Sequence, residues 1–330
     1  MITNVDIYRL STDISLYEIF KSNILGYGSN SIVYLGRCIR SSNLKNIKRP
    51  DKLVAIKKIS RSKLNERCVQ MLETEIEILK KIMTNPHPNI IECYDVIYES
   101  DITYIITEYC DCGNFSSLLI GKQFNDLYLR HYFGQIANAI KFLRDNKIIH
   151  RDMKPSNILL MSDKKNIKLC DFGFAKQMHC LKRVTTICGS PLYMAPELFK
   201  KESYTESVDV WSLGIILFEM VYGIHPFSNY NDLETLSQSV IKNTVHVKDN
   251  EGLNKKCIDL LNLMLKKNDY ERITIDDLLK HEWIINDCVL TNDELACVYN
   301  TTHVYTNLSS NINNDILNSS FDELIFEIDI

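Results

Sequence analysis

The sequence predicts a two-lobed α+β protein, with a small strand-rich part ahead of a larger helical part. Three observations predict it. Strand-like runs rich in Val, Ile and Tyr fill the stretch from Tyr17 to about Tyr109, broken by one helical stripe. Beyond Asp111 the apolar residues recur at helical spacing instead. The chain has 330 residues, 45% hydrophobic and 24% charged, the composition of a globular protein with a substantial buried core.

Residues 1–18 show no clear pattern and are read as an N-terminal extension, so the folded domain spans 19–284. Ile32-Val33-Tyr34-Leu35 and Leu53-Val54-Ala55-Ile56 are short strands. The polar stretch between them, Arg40 to Lys52 with Pro50, is a surface loop. Cys68 to Met83 places Val69, Leu72, Ile76, Leu79 and Met83 on one helical face, and Thr103 to Thr107 is a further strand. The first lobe closes near residue 109. The second, from about 111 to 284, is expected to carry helices over Tyr128–Asn146, Val208–Tyr222 and Cys257–Leu265. After Trp283 core-type residues thin out and Asn, Thr and Ser dominate. From Ile285 to the end there are eight acidic residues and no Lys or Arg, so 285–330 reads as an acidic, Asn-rich and partly disordered tail.

Composition also excludes classes of function. A net charge of −4 argues against general nucleic-acid binding. The apolar run Leu213–Phe218 stops at Glu219, far short of the roughly 20 residues of a membrane span. The start, Met-Ile-Thr-Asn-Val-Asp, lacks the basic and apolar regions of a signal peptide. The eleven cysteines are scattered without Cys-x-x-Cys pairs, the pattern of free thiols in a reducing compartment. The expected location is cytoplasmic, and the host cytoplasm for a viral chain.

Five ordered motifs carry the chemistry. Gly26-Tyr27-Gly28-Ser29-Asn30-Ser31-Ile32-Val33 can bring backbone amides close to phosphate oxygens, though alone it reads better as a glycine-containing hairpin turn. Val54-Ala55-Ile56-Lys57 puts a lysine on a strand, where it is either solvated or a point charge for a nucleotide phosphate; Glu75 on the following helix can pair with it. Then come His150-Arg151-Asp152-Met153-Lys154-Pro155-Ser156-Asn157 and Asp171-Phe172-Gly173. Gly189-Ser190-Pro191-Leu192-Tyr193-Met194-Ala195-Pro196-Glu197 and Asp209-Val210-Trp211-Ser212-Leu213-Gly214 complete the series.

Together these resemble the eukaryotic protein kinase signatures, in that family's order, over about Tyr17 to Trp283. The resemblance implies a bilobal kinase fold and Mg·ATP-dependent phosphorylation of protein substrates. Lys57, held by Glu75, would contact the α- and β-phosphates under the Gly26–Ser31 loop. Asn157 and Asp171 would supply oxygen ligands to Mg²⁺, and Asp152 would accept or orient the substrate hydroxyl proton. Lys154 is similar to the lysine that serine/threonine kinases place near the γ-phosphate. Val33, Ala55 and Leu159 would sandwich adenine, with backbone groups of Glu108 and Cys110 at its edge. Leu79, His150 and Phe172, with Cys93, would stack above Asp209, and Glu197 would pair with Arg272. Arg151, aided by Lys176, calls for an anion; phosphate placed by an upstream kinase on Thr186 (Thr185 being the other candidate) would supply it, against constitutive activity with another acidic partner.

The run Cys188–Glu197, Tyr109-Cys110 and Asp171-Phe172-Gly173-Phe174-Ala175 resemble the autophagy-initiating kinase group. Ser31 stands at the third glycine of the loop and Asn30 at its tip. Asn114 and Ser156 stand uncharged where basophilic kinases carry carboxylates, so a −3 arginine preference is not expected. Phe321-Asp322-Glu323-Leu324 resembles motifs that bind ubiquitin-like modifiers, the alternative being an amphipathic end that packs on the kinase lobe. A stand-alone kinase of a protist or a large DNA virus suits the chain. The rival function from another class is a pseudokinase scaffold.

Overall fold

The computed structural model describes residues 6–11, 15–28, 30–41, 52–119, 124–177, 188–230, 232–247 and 253–285. Ser29, Thr185, Thr186, Phe321 and Leu324 therefore lie outside the described residues. The chain forms two compact units, Met1–Asp111 and Cys112–Ile330.

In the first unit β1 (Ile7–Ser11), β2 (Ser15–Gly28), β3 (Ser31–Ser41) and β4 (Lys52–Ser60) precede helix α1 (Glu66–Thr84). Strands β5 (Cys93–Glu99) and β6 (Ile102–Glu108) follow. All six strands form one sheet in the order β1-β2-β3-β4-β6-β5, each pair antiparallel. Tyr17, Ile19, Val54, Ile56, Tyr94, Tyr104 and Ile106 pack its core. Helix α1 begins where Asn65 accepts a hydrogen bond from the Cys68 amide at 2.8 Å, a side-chain cap for an otherwise orphaned donor. It buries Leu72, Ile76 and Leu79, three of the five stripe positions.

Within the N-terminal extension, Ile7–Ser11 is a strand of this sheet. Ile7–Ser11 pairs residue by residue with Leu16–Phe20. Leu10 is buried, and the Tyr8 hydroxyl donates to Glu99 at 2.6 Å while its ring stacks on Tyr104 at 6.5 Å. Part of what orders this strand comes from β5 and β6, about ninety residues along the chain, so a five-residue window could not reveal it. The strands in general run longer than their apolar cores: β3 has eleven residues and β4 nine.

The second unit contains α2 (Phe115–Leu119), α3 (Asp126–Asp145), β7 (Ile148–Ile149), β8 (Ile158–Leu160), β9 (Ile167–Leu169) and β10 (Lys176–Gln177). Then come α4 (Pro196–Phe199), α5 (Ser207–Tyr222), α6 (Leu233–Lys242), α7 (Lys255–Met264) and α8 (Ile275–Leu279). Two short antiparallel pairs, β7 with β10 and β8 with β9, bracket the loops that matter below. Helix α5 is the central element: of its residues only Ser207, Glu219 and Tyr222 are not fully buried, as its nearly continuous apolar sequence requires. At the unit's end the buried Trp283 donates its indole N–H to Asp126 at 2.7 Å. Glu197 and Arg272, both buried, form a two-pronged ion pair at 2.7 and 3.0 Å, as expected. Among the described residues no helix is long and apolar enough to cross a membrane.

Candidate active site

In the first unit the glycine-bearing segment is a hairpin. Gly28 faces Ser31, Tyr27 faces Ile32 and Gly26 faces Val33 across β2 and β3. A Cβ on Gly28 would lie 2.6 Å from the Ser31 hydroxyl, so the serine at the third position occupies the space beside the second glycine. Tyr27 is 75% exposed beside the turn. Lys57 sits on β4 opposite Val33, and Ala55 opposite Thr107 of β6. The Lys57 ammonium lies 2.8 Å from the carboxylate of Glu75, which is buried on α1. The Glu108 amide donates to the Glu92 carbonyl at 2.9 Å, and its carboxylate accepts the Glu92 amide at 2.7 Å, which ties down the end of β6 just before Cys110.

In the second unit the site is organised around Asp209 at the start of α5. Its two carboxylate oxygens accept the His150 amide at 2.8 Å and the Arg151 amide at 2.9 Å. Burial raises the Asp209 pKa against the pull of His150 and those two amides. The clamp holds Arg151 at φ +66°, a conformation costly for a residue with a Cβ, and so sets the direction of the loop that follows. The His150 ring lies 3.2 Å from the Cys170 carbonyl and packs on Phe172 at 5.3 Å between ring centres.

Asp152 is buried, and contacts on both carboxylate oxygens fix its side chain. One oxygen accepts from the Ser190 amide at 2.9 Å and the Ser190 hydroxyl at 2.8 Å. The other accepts from Asn157 Nδ2 at 2.9 Å and lies 3.5 Å from Lys154 Nζ. Asn157 Nδ2 also donates to the Asp152 carbonyl at 2.8 Å, and neither bond uses Asn157 Oδ1. The Cys170 amide donates to the Asn157 carbonyl at 2.9 Å, which seats Asp171, at φ +61°, next to that asparagine in the backbone network. Leu159 lies on β8 opposite Lys168 and bridges to Asn114.

Arg151 Nε donates to the Phe174 carbonyl at 2.6 Å and its Nη1 to the Tyr204 hydroxyl at 3.0 Å. Among the described residues no carboxylate pairs with it. Burial lowers the Lys176 pKa and the nearby Arg151 guanidinium lowers it further. Sequence reasoning gave no separate role to Gly189, Ser190 or Tyr204. Gly189 has φ +111°, and a Cβ there would meet the Arg151 carbonyl at 2.3 Å, so only glycine lets Ser190 reach Asp152. Its place in the Gly189–Glu197 run was the available signal; Tyr204 had none.

The protein kinase domain pattern matches residues 20–284, most of the chain. This chain belongs to the protein kinase family. The kinase is 37% identical over 266 residues to the serine/threonine-protein kinase ATG1b of Arabidopsis thaliana, covering 79% of this chain and 35% of that protein. It is 35% identical to human serine/threonine-protein kinase ULK3 over 264 residues, 79% of this chain and 53% of the relative. It is 35% identical to serine/threonine-protein kinase atg1 of Dictyostelium discoideum over 266 residues, 79% of this chain and 38% of the relative. The kinase thus spans from about a third to about half the length of these relatives.

The residues of the kinase fit the metal its family uses. Among the described residues no three His, Cys, Asp or Glu side chains cluster to hold an ion. The oxygen donors of Asn157 and Asp171 suit Mg²⁺, which keeps water and phosphate oxygens as its other ligands.

Proposed function

We propose that the chain is a serine/threonine protein kinase that transfers the γ-phosphate of ATP to hydroxyls of protein substrates. The observation that carries this is the fully clamped carboxylate of Asp152, with Lys154 and Asn157 beside it. Lys57 binds the α- and β-phosphates and Glu75 keeps its ammonium from swinging to solvent. The Gly26–Ser31 hairpin covers the phosphates; Val33, Ala55 and Leu159 hold the adenine faces, with Glu108 and Cys110 at its edge. Asn157 and Asp171 would hold Mg²⁺, which when bound would supply neutralisation of phosphate charge.

The substrate hydroxyl gives its proton to Asp152, whose lone pairs are aimed by Ser190 and Asn157. Lys154 compensates the charge on the phosphoryl oxygens as the bond to the leaving ADP lengthens. Arg151 and Lys176 receive a phosphate placed on Thr186 by an upstream kinase, and this orders the activation segment. We place the enzyme in the cytoplasm, or the host cytoplasm for a viral chain, because its cysteines are scattered and those described are free thiols. Nothing among the described residues favours a pseudokinase scaffold: Lys57, Asp152, Asn157 and Asp171 are all present.

The test is transfer from labelled ATP with Mg²⁺ to a generic protein substrate, wild type beside Asp152→Asn. Serine and threonine labelling that falls about 10²–10⁴-fold in the variant supports the assignment. Equal labelling by both proteins overturns the role of Asp152. Absent labelling from protein that binds ATP and carries phosphate on Thr186 overturns the kinase reading.

A further inference from the structure

Three stretches of the second unit meet at Arg151. Its Nε donates to the carbonyl of Phe174, three residues past Asp171, at 2.6 Å. Its own carbonyl oxygen lies so close to Gly189 that a Cβ there would approach it to 2.3 Å. The segment from 174 to 189 therefore starts and finishes against this one residue. The third stretch is the loop between α4 and α5, from which the Tyr204 hydroxyl accepts Arg151 Nη1 at 3.0 Å. Tyr204 is completely buried, while Ser203 and Thr205 on either side of it are only half-buried.

Both side-chain partners of the guanidinium are neutral. Burial pushes the Tyr204 hydroxyl up to about 12 against the pull of Arg151, so it remains an uncharged phenol at neutral pH. Asp209 fixes the Arg151 backbone, and Phe174 and Tyr204 fix its side chain. One bond at Nε would leave the guanidinium free to swing about it; the second, at Nη1, sets its plane. Among the described residues these bonds use two of the five N–H donors, and the cation is held without being neutralised.

We propose that Tyr204 is a positioning residue whose hydroxyl keeps Arg151 in its working place while Thr186 carries no phosphate, so that the unmodified chain has a basal phosphate-transfer activity. The proposal rests on the kinase reading above and concerns the regulation of the same site. Tyr204 acts through Arg151. With the guanidinium held, Phe174 keeps its place after Asp171, and Gly189 keeps Ser190 on the Asp152 carboxylate at 2.9 and 2.8 Å. A phosphate on Thr186 takes up the remaining donors in charge-assisted hydrogen bonds, which are stronger than a bond to a phenol. Arg151 is then held by the phosphate, and the Tyr204 hydroxyl becomes dispensable.

The test is a two-by-two comparison in the full chain. Tyr204→Phe removes only the oxygen; it is made in the Thr185→Ala, Thr186→Ala chain and in a chain carrying phosphothreonine at position 186. Without phosphate kcat is expected to fall at least about tenfold, with the KM for ATP and the melting temperature nearly unchanged. With phosphate the fall is expected to stay under about threefold, a coupling that a purely structural role would not produce. Equal losses in both backgrounds, or no loss without phosphate, overturn the proposal. So does a Thr185→Ala, Thr186→Ala chain that transfers nothing beside an active phosphorylated chain. The second readout is proton exchange at Arg151 Nη in arginine-labelled protein, which does not depend on activity or on the variant folding. Slow exchange in the unphosphorylated, otherwise unsubstituted chain supports the anchor, and fast exchange overturns it. If neither background transfers phosphate the kinase reading fails, and the exchange rate still decides whether Tyr204 holds Arg151.

Discussion

Ser190 donates both its backbone amide and its hydroxyl to the same oxygen of Asp152, at 2.9 and 2.8 Å. Hydrogen bonds to a buried carboxylate are among the stronger ones, about 1.5–3 kcal/mol each. Ser190→Ala removes the hydroxyl and keeps the amide, so the carboxylate loses one of its restraints. We expect kcat to fall roughly tenfold with the melting temperature nearly unchanged, since Gly189 still places the backbone. Steady-state kinetics beside thermal melting checks this; an unchanged kcat would show that the amide alone orients Asp152.

Glu197 and Arg272 are both buried and fully engaged with one another. Removing one partner leaves a desolvated charge, which typically costs about 3–5 kcal/mol. Glu197→Ala is expected to lower the urea midpoint by a corresponding amount. Arg272 also donates to the Lys266 and Ser207 carbonyls, so Arg272→Met strands those acceptors as well. Replacing both residues with apolar ones is expected to recover part of the loss seen for Glu197→Ala.

The pH dependence of stability turns on a second buried cluster. Burial raises Glu219 to about 7 against the opposing Tyr193 hydroxyl, which donates to it at 3.0 Å, and lowers His225 to about 3. Tyr193 and His225 pack edge to face at 5.0 Å. Between about pH 4.5 and 7 the native state holds the Glu219 proton that the unfolded chain has released, so this group's stabilisation falls as pH rises. Between about 3 and 6.5 the unfolded chain holds the His225 proton and the native state does not, so that group's effect rises with pH. The two oppose each other where they overlap. Glu219→Gln keeps the acceptor for Tyr193 and is expected to leave a net gain in stability from pH 4.5 to 6.5; His225→Phe is expected to leave a net loss. Urea unfolding across that range reads both slopes, and parallel curves for the two variants would contradict the assignment.

The residues proposed as catalytic were legible because the phosphoryl transfer proposed for them calls for charged and glycine residues at fixed spacing, as in Asp152, Lys154 and Asn157 or Asp171-Phe172-Gly173. The helices were legible because their apolar stripes are local: α1, α3, α5 and α7 each fall within three residues of their expected ends. Tyr204 was not legible, since nothing near it in sequence marks a tyrosine that reaches Arg151 from fifty-three residues away. The geometry at Asp152 was only partly legible, for the same reason. The motif names Ser190, but its two bonds to Asp152 depend on a φ of +111° at Gly189 and on the Arg151 turn held by Asp209.

The N-terminal strand is the part most hidden in the sequence and the simplest to test. Leu10 is 1% exposed, although it lies in a stretch with no readable period. A buried leucine truncated to alanine costs about 2–5 kcal/mol through lost transfer energy and the cavity left behind. Leu10→Ala is therefore expected to destabilise the first unit by that order, and Tyr8→Phe by about 1 kcal/mol through the lost bond to Glu99. Both β1 residues pack on β5 and β6, and β6 pairs its Ile105 with Lys57 of β4. Loss of β1 is thus expected to lower the affinity for ATP as well as the melting temperature. Calorimetric melts beside nucleotide titration separate the cases: if Leu10→Ala melts like wild type, the segment is a passive extension after all.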